Sequence, residues 1–425
     1  MHVLVLGSGG REHALGWAIA QSKKKPEITT APGNAGTASL GSNVDLDPEE
    51  HDEIIDFCKS NNVDLVVVGP EAPLVDGIAD SLRQEKIAVF GPGSEAAMIE
   101  GSKVFAKEFC DRHGIPTASW KVFEDHEVAH KYIDKNDIME CVVKADGLAA
   151  GKGAIVCDDI IDAHSAMDTI LLEKKFGSAG DRTILEDRLT GFETTLLTIV
   201  SGENYVKLPY SQDHKRAFDG DRGPNTGGMG VFAPTPKVSA ELDEIITREI
   251  VEPTVRGLVE DGIEYNGCLY FGLMITDEGP FVIEYNCRFG DPEAQAVFPL
   301  MEGDWLEALR STALGKTEKI NLKPNGKKAL TVILASEGYP DKYNKGVDIT
   351  DDLDLLSADS NLVVFHAGTG KIVDRIITSG GRVLAVTALG NDFNECRNYA
   401  YDAIGKLKLK GMFYRKDIGH ELVSV

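Results

Sequence analysis

The sequence predicts an α/β protein whose N-terminal part is a doubly wound parallel sheet, and three observations carry that expectation. Short apolar runs alternate with helical patterns over the first hundred residues, glycine-rich loops follow the runs, and a second α/β pattern begins after Pro324. The strands are expected at 2–6, 28–31, 64–68 and 87–90. A helix between them is expected to open at Asp47-Pro48-Glu49-Glu50, a capping residue followed by proline at the first turn. The loops 7–13, 32–37 and 69–77 then fall at the carboxyl ends of the strands, where a doubly wound sheet binds its ligands. Gly91-Pro92-Gly93 ends this region, and Ser102 reads as the cap of a helix over 103–113. Residues 117–190 mix strands and helices around a glycine-rich loop. Further on, strands are expected at 194–200, 269–275 and 281–285 and a helix over 241–261. The last part has strands at 329–335, 362–366 and 383–388.

Composition narrows the function classes. A chain of 425 residues with 42% hydrophobic and 26% charged residues is that of an ordinary globular protein with several cores. Its net charge of −24 excludes nucleic acid as the main partner, because phosphate backbones bind basic surfaces. Lys23-Lys24-Lys25 reads as a solvated helix end. No stretch approaches 18 consecutive apolar residues, and the start has neither the basic residues nor the apolar length of a signal peptide. The expectation is a cytoplasmic protein, monomeric and without membrane contact, acting on small molecules. Seven cysteines without a Cys-x-x-Cys pair read as reduced, buried thiols and not as a zinc site.

Four loops carry chemistry. Gly7-Ser8-Gly9-Gly10-Arg11-Glu12-His13 resembles a dinucleotide fingerprint, but Glu12 stands where the third glycine belongs, which favours a phosphate-bearing ligand over NAD. In Lys144-Ala145-Asp146-Gly147-Leu148-Ala149-Ala150-Gly151-Lys152-Gly153 the spacing departs from a Walker A loop. A strand lysine, Lys144, before a glycine-rich turn makes a different nucleotide clamp, with loop amides around the phosphates. In Glu284-Tyr285-Asn286-Cys287-Arg288, the period of two puts Glu284 and Asn286 on one strand face, two hard oxygen donors suited to Mg²⁺ or Mn²⁺. Arg288, next on that face, can pair with a carboxylate or phosphoryl group. Finally, Asp213-His214-Lys215-Arg216 precedes the turn Gly223–Gly230. These cations imply an anionic ligand, Asp213 can hold an ammonium group, and His214 reads as a hydrogen-bonding residue.

Taken together with Ala31-Pro32-Gly33-Asn34-Ala35-Gly36-Thr37, Gly69-Pro70-Glu71-Ala72-Pro73 and Arg415-Lys416-Asp417-Ile418-Gly419, these segments resemble the phosphoribosylamine–glycine ligase family of the ATP-grasp superfamily along essentially the whole chain. The resemblance implies an N-terminal Rossmann-like domain over 1–102, a two-lobed ATP-grasp core over 103–323 with its lid at about 117–190, and a C-terminal domain over 324–425. It implies ligation of glycine to 5-phospho-β-D-ribosylamine with ATP, through glycyl phosphate, in purine biosynthesis. Carried onto this sequence, ATP is expected at Lys103, Lys144, Gly147, Gly151, Lys152, Gly153, Glu186, Asp187 and Glu193, with Glu284 and Asn286 as metal ligands. The substrates are expected at Gly9, Gly10, Arg11, Gly33, Asn34, Pro70, Glu71, Asp213, Lys215, Gly227, Gly228 and Arg288, with Arg288, Lys144 and Asp213 catalytic. Phe192, Thr194 and Arg188 depart from the family's usual pattern beside the nucleotide. The nearest alternative is another ATP-grasp ligase with the same N-terminal module. A dehydrogenase is argued against by Glu12 and by the two further phosphate-type loops, and an inactive nucleotide-binding regulator by the presence of Glu284, Asn286 and Lys144.

Overall fold

The computed structural model describes residues 1–149, 153–317, 320–356 and 361–423. Its N-terminal sheet is parallel throughout, in the order Ser42–Asn43, Glu27–Pro32, His2–Gly7, Leu65–Val68, Val89–Phe90. The central strand is buried on both faces because its neighbours cover both: Leu4 and Leu6 enter one core, Val3 and Val5 another. The first core is shared with Leu269, Phe271 and Leu273 of strand Asn266–Thr276, and the second with Cys268 and Tyr270 of the same strand. The two sheets are thus fixed to each other through side chains of alternating direction.

Strand Asn266–Thr276 belongs to an antiparallel sheet in the order Asn204–Lys207, Phe192–Ser201, Asn266–Thr276, Gly279–Asn286. A second antiparallel sheet, Trp120–Phe123, Thr183–Asp187, Cys141–Ala145, Ala154–Cys157, forms a separate lobe. Cys141, Val143 and Ala145 face a small core completed by Ala129, Ile133, Ala163, Met167 and Ile170 from the helical segments behind the sheet. Val142 and Lys144, on the opposite face, line a cavity between this lobe and the base.

Three expectations need correction. The helix expected to start at Asp47 begins at His51, because Asp47 closes a local turn, accepting from Glu49 N at 3.0 Å, instead of capping a helix. The helix expected over 241–261 is not uniform: a π turn at Thr247–Val251 separates Ala240–Ile246 from Glu252–Glu260, just before Pro253, which cannot donate to the preceding turn. The C-terminal domain expected over 324–425 does not build its sheet from that span alone. Its sheet runs Gln212–Asp213, Gly230–Ala233, Lys328–Ser336, Arg382–Gly390, Leu362–His366, so two strands come from the core.

Ser102 caps helix Lys103–His113 by accepting from Phe105 N, as its sequence position requires. All seven cysteines are free and buried. Among the described residues no helix is long and apolar enough to cross a membrane.

Candidate active site

The cavity between lobe and base has a volume of about 670 Å³. Its floor is strand Gly279–Asn286, whose pairing with Asn266–Thr276 slips by one residue: Gly272 opposes Glu284 and Leu273 opposes Val282, leaving Ile283 without a partner. This bulge sends the Ile283 carbonyl to the Lys144 ammonium at 3.1 Å and leaves Glu284 and Asn286 together on the cavity face. Gly272 is required there, because a Cβ would stand 2.9 Å from Glu284 Cγ.

The cavity concentrates cations that the acidic surface does not reveal. Lys103, Lys107, Lys144 and Lys215 meet Arg11, Arg288 and Arg382 in its lining. Lys144 and Lys107 both pair with Glu186, at 2.9 and 3.0 Å, and Lys103 donates to the Gly147 carbonyl at 3.0 Å. Burial lowers the pKa of Lys103 and of Lys107, against the pull of Glu284 and Glu186 respectively. Burial pushes the Glu284 carboxyl up, but Lys215, Lys144, Lys103 and Arg288 outweigh it and hold it below its ordinary value.

Arg288 is held from two sides: it donates to Glu71 at 3.2 Å and to Glu100 at 2.9 Å, with Asn286 Oδ1 at 3.2 Å. Against the upward push of burial, Arg288 and Arg11 bring Glu71 down to about 2. Across the cavity, Lys215 pairs with Glu193 at 3.0 Å, and burial pushes Asp213 up. Glu293 accepts from the Tyr270 hydroxyl at 3.1 Å, and burial together with Asp213 raises it to about 7.

Of the residues expected to form the site, Arg11, Glu71, Lys103, Lys144, Gly147, Gly153, Glu186, Asp187, Glu193, Asp213, Lys215, Gly227, Glu284, Asn286 and Arg288 line this cavity. Gly9, Gly10, Gly33, Asn34, Pro70 and Gly228 are not in its lining. The Asn34 amide is spent on the carbonyls of Ser8, Gly9 and His366, where it ties the N-terminal loops to the C-terminal sheet. Gly228 packs under the wall at φ +111°, where a Cβ would meet Pro292 Cδ at 2.5 Å. Gly151 and Lys152 lie outside the described residues.

Glu12 has a structural reason to replace glycine: its carboxylate accepts from Gly9 N at 2.6 Å and from Arg11 Nε at 2.6 Å, closing the first turn of the helix. The departures from the family's pattern at Phe192, Thr194 and Arg188 are accommodated locally. Thr194 donates to the Ser211 carbonyl, Phe192 lies under Lys237, and Arg188 pairs with Asp158. His214 is buried, with Nε2 3.5 Å from Glu421.

Sequence reasoning missed Lys107, Glu100, Glu293 and Arg382. Lys107 stands four residues after Lys103 on one helix, so helical periodicity alone puts both on one face. Arg382 enters from the C-terminal sheet and donates to the carbonyls of Gly227 and Asp291 at 2.6 and 2.7 Å, a contact no local pattern announces.

A hard dication fits one place in the cavity lining. The Glu284 carboxylate takes no hydrogen bond or ion pair from the described residues, and Asn286 Oδ1 is shared only with Arg288. Two oxygen donors without a closed shell suit a hard dication that keeps waters. Among the described residues no group of three or more His, Cys, Asp or Glu side chains is placed to hold a metal ion.

A four-stranded base, a four-stranded lid and a cationic cavity between them define the ATP-grasp class. The biotin carboxylase domain of the 2-oxoglutarate carboxylase from Hydrogenobacter thermophilus shares the fold, with TM-score 0.73 at 15% identity over 97% of this chain and 91% of that one. Family models of phosphoribosylglycinamide synthetase match its N domain to residues 1–100, its ATP-grasp domain to 101–294 and its C domain to 329–421, and the chain belongs to this family. It is 45% identical to phosphoribosylamine–glycine ligase of Rhodopirellula baltica, covering 98% of this chain and 97% of that protein. The crystal structure of phosphoribosylamine–glycine ligase from Thermotoga maritima superposes with TM-score 0.84 at 35% identity, over 98% of this chain and 100% of that one.

Proposed function

We propose that this enzyme joins glycine to 5-phospho-β-D-ribosylamine at the expense of ATP, a step of purine biosynthesis that yields glycinamide ribonucleotide, ADP and phosphate. The observation that carries the chemistry is the Glu284 carboxylate, which takes no hydrogen bond or ion pair from the described residues, beside Asn286 and facing a cavity whose lining also holds Lys103 and Lys144. ATP lies between lid and base. Its base is covered by the apolar side chains Val142, Val156 and Met274, and its phosphates are met by Lys103, Lys144 and the loop residues Gly147, Leu148, Ala149 and Gly153. Glu186, Asp187 and Glu193 serve the adenosine end, with Glu186 moving off at least one of its two lysines when nucleotide arrives.

Glu284 and Asn286 would hold Mg²⁺ or Mn²⁺, which supplies charge neutralisation at the phosphates. A glycine carboxylate oxygen attacks the γ-phosphorus as the bond to ADP breaks, giving glycyl phosphate. The ribosylamine nitrogen then attacks the acyl carbon, phosphate leaves, and the nitrogen loses a proton. Arg288 orients the carboxylate, and the fork that Glu71 and Glu100 impose on it fixes its plane. Asp213 holds the glycine ammonium beside Lys215. The N-terminal loops Gly9–Arg11, Gly33-Asn34 and Pro70-Glu71, with Gly227-Gly228, receive the phosphoribosyl group.

In this reading the chain divides at about 102 and 323, acts as a cytoplasmic monomer, and binds small molecules only. The test is ADP release with ATP and Mg²⁺, with phosphoribosylamine generated in situ. Turnover must need both glycine and the amine, with the product confirmed by mass. ADP release with bicarbonate but not glycine would move the chain to a different ATP-grasp reaction.

A further inference from the structure

On the far side of the lid sheet from the cavity, two helices carry a cluster that the ligase reaction does not use. His130 lies on helix His126–Asn136 and His164 on helix Ile160–Met167, with side chains 26% and 25% exposed. Their ring planes lie within 8° of parallel with centres 4.5 Å apart, and their Nδ1 atoms face each other in direct contact. Each Nε2 is taken by a carboxylate: His130 by Asp168 at 2.8 Å, His164 by Asp134 at 3.0 Å.

Proton counting makes this arrangement informative. A carboxylate only accepts, so each Nε2 carries the hydrogen, and a neutral imidazole has just one. In the neutral pair both Nδ1 atoms are lone pairs aimed at one another, flanked by two carboxylates. A cation between them satisfies both lone pairs and the charge. A carboxylate on the second nitrogen of a metal-binding imidazole is the usual outer shell of a transition-metal site. We propose that His130 and His164 bind one transition-metal dication of the zinc type through their Nδ1 atoms, the rings parting to admit it and water completing its shell. The ion would tie the two lid helices together. Nitrogen donors separate this site from the oxygen pair Glu284 and Asn286, since Mg²⁺ does not compete for imidazole.

The experiment is calorimetric titration of the full chain with Zn²⁺ in excess Mg²⁺, comparing His130→Ala, His164→Ala and His126→Ala. The wild type should bind one equivalent that the first two variants lose and His126→Ala keeps. Asp134→Asn with Asp168→Asn should weaken binding about 10–100-fold while leaving both imidazoles in place. Mg²⁺-dependent turnover and melting temperature without zinc should stay near wild type in His130→Ala, so that lost binding is not lost folding. His130→Gln serves if the alanine variant melts early. Equal zinc binding by wild type and the His130/His164 double variant overturns the proposal, as does a wild type that takes no zinc because the pair shares a proton. Loss in His126→Ala with retention in His164→Ala overturns it too, placing the ion on the first helix alone.

Discussion

The base of the cavity and its lid contribute side chains to one site from opposite kinds of packing. Strand Asn266–Thr276 in the base is buried on both faces, one in each of two large cores, and so is tied to the parallel sheet and to the C-terminal sheet. The lid sheet has one small core on its helical side, and its cavity face carries the half-exposed Val142 and the exposed Val156 beside Lys144. Groups whose mutual geometry must not drift, Glu284, Asn286 and Arg288, sit on or directly beyond the doubly anchored base. In the proposed function, the groups that admit and then cover a nucleotide sit on the singly anchored lid.

The largest effect should come from the base. Glu284→Gln keeps shape and removes charge, so turnover should fall about 10³-fold, roughly 4 kcal/mol, with the melting temperature little changed. Steady-state ADP release and a thermal melt on the same sample check both halves. Turnover preserved at saturating Mg²⁺ would remove Glu284 from the metal site.

On the lid, Ile133→Ala should cost about 3 kcal/mol by opening a cavity in its small core. If the lid is separately anchored, hydrogen exchange should quicken on strand Cys141–Ala145 and not on His2–Gly7. Equal quickening in both would mean one cooperative unit and would dissolve the contrast.

A smaller, pH-dependent effect should appear at the seam between the parallel and C-terminal sheets. Burial, with His366 nearby, lowers His13 to about 3, and burial lowers His366 to about 4, so both are neutral in the folded chain. Their stability contribution is complete above the unfolded value near 6.5 and is lost as pH falls toward 4 and then 3. Denaturant melts between pH 7 and 4.5 should show a gentler decline for His13→Asn/His366→Asn than for wild type. An unchanged slope would mean that the seam does not govern acid stability.

Much of this architecture was legible in local pattern. Glycine loops after short apolar runs gave the parallel sheet, Ser102 gave its helix start, and the period of two gave the shared face of Glu284 and Asn286. The bulge at Ile283 left no trace, since it depends on which residue opposes Gly272. Glu100 and Arg382 reach the site from a distant helix and a distant sheet, and a single chain without its partners does not show such meetings. Asp47 misled because an aspartate before proline satisfies a turn as readily as a helix cap. Glu186 lines the cavity, and what no local pattern showed is that two buried lysines share it as their counter-ion.

One feature of the C-terminal region bears on how the enzyme is made. Arg415 is 1% exposed and bonds Asp221 at 2.7 Å and the Arg216 carbonyl at 3.1 Å, while Asp417 accepts from Gly220 N at 2.8 Å. The hairpin Arg216–Phe218 and Arg222–Asn225 beside the cavity is thereby clasped by residues translated some two hundred positions later. A chain leaving the ribosome can complete its parallel sheet and its lid early. The clasp forms only once residue 417 has emerged, so a nascent chain can gather its parallel sheet and its lid well before this hairpin is braced.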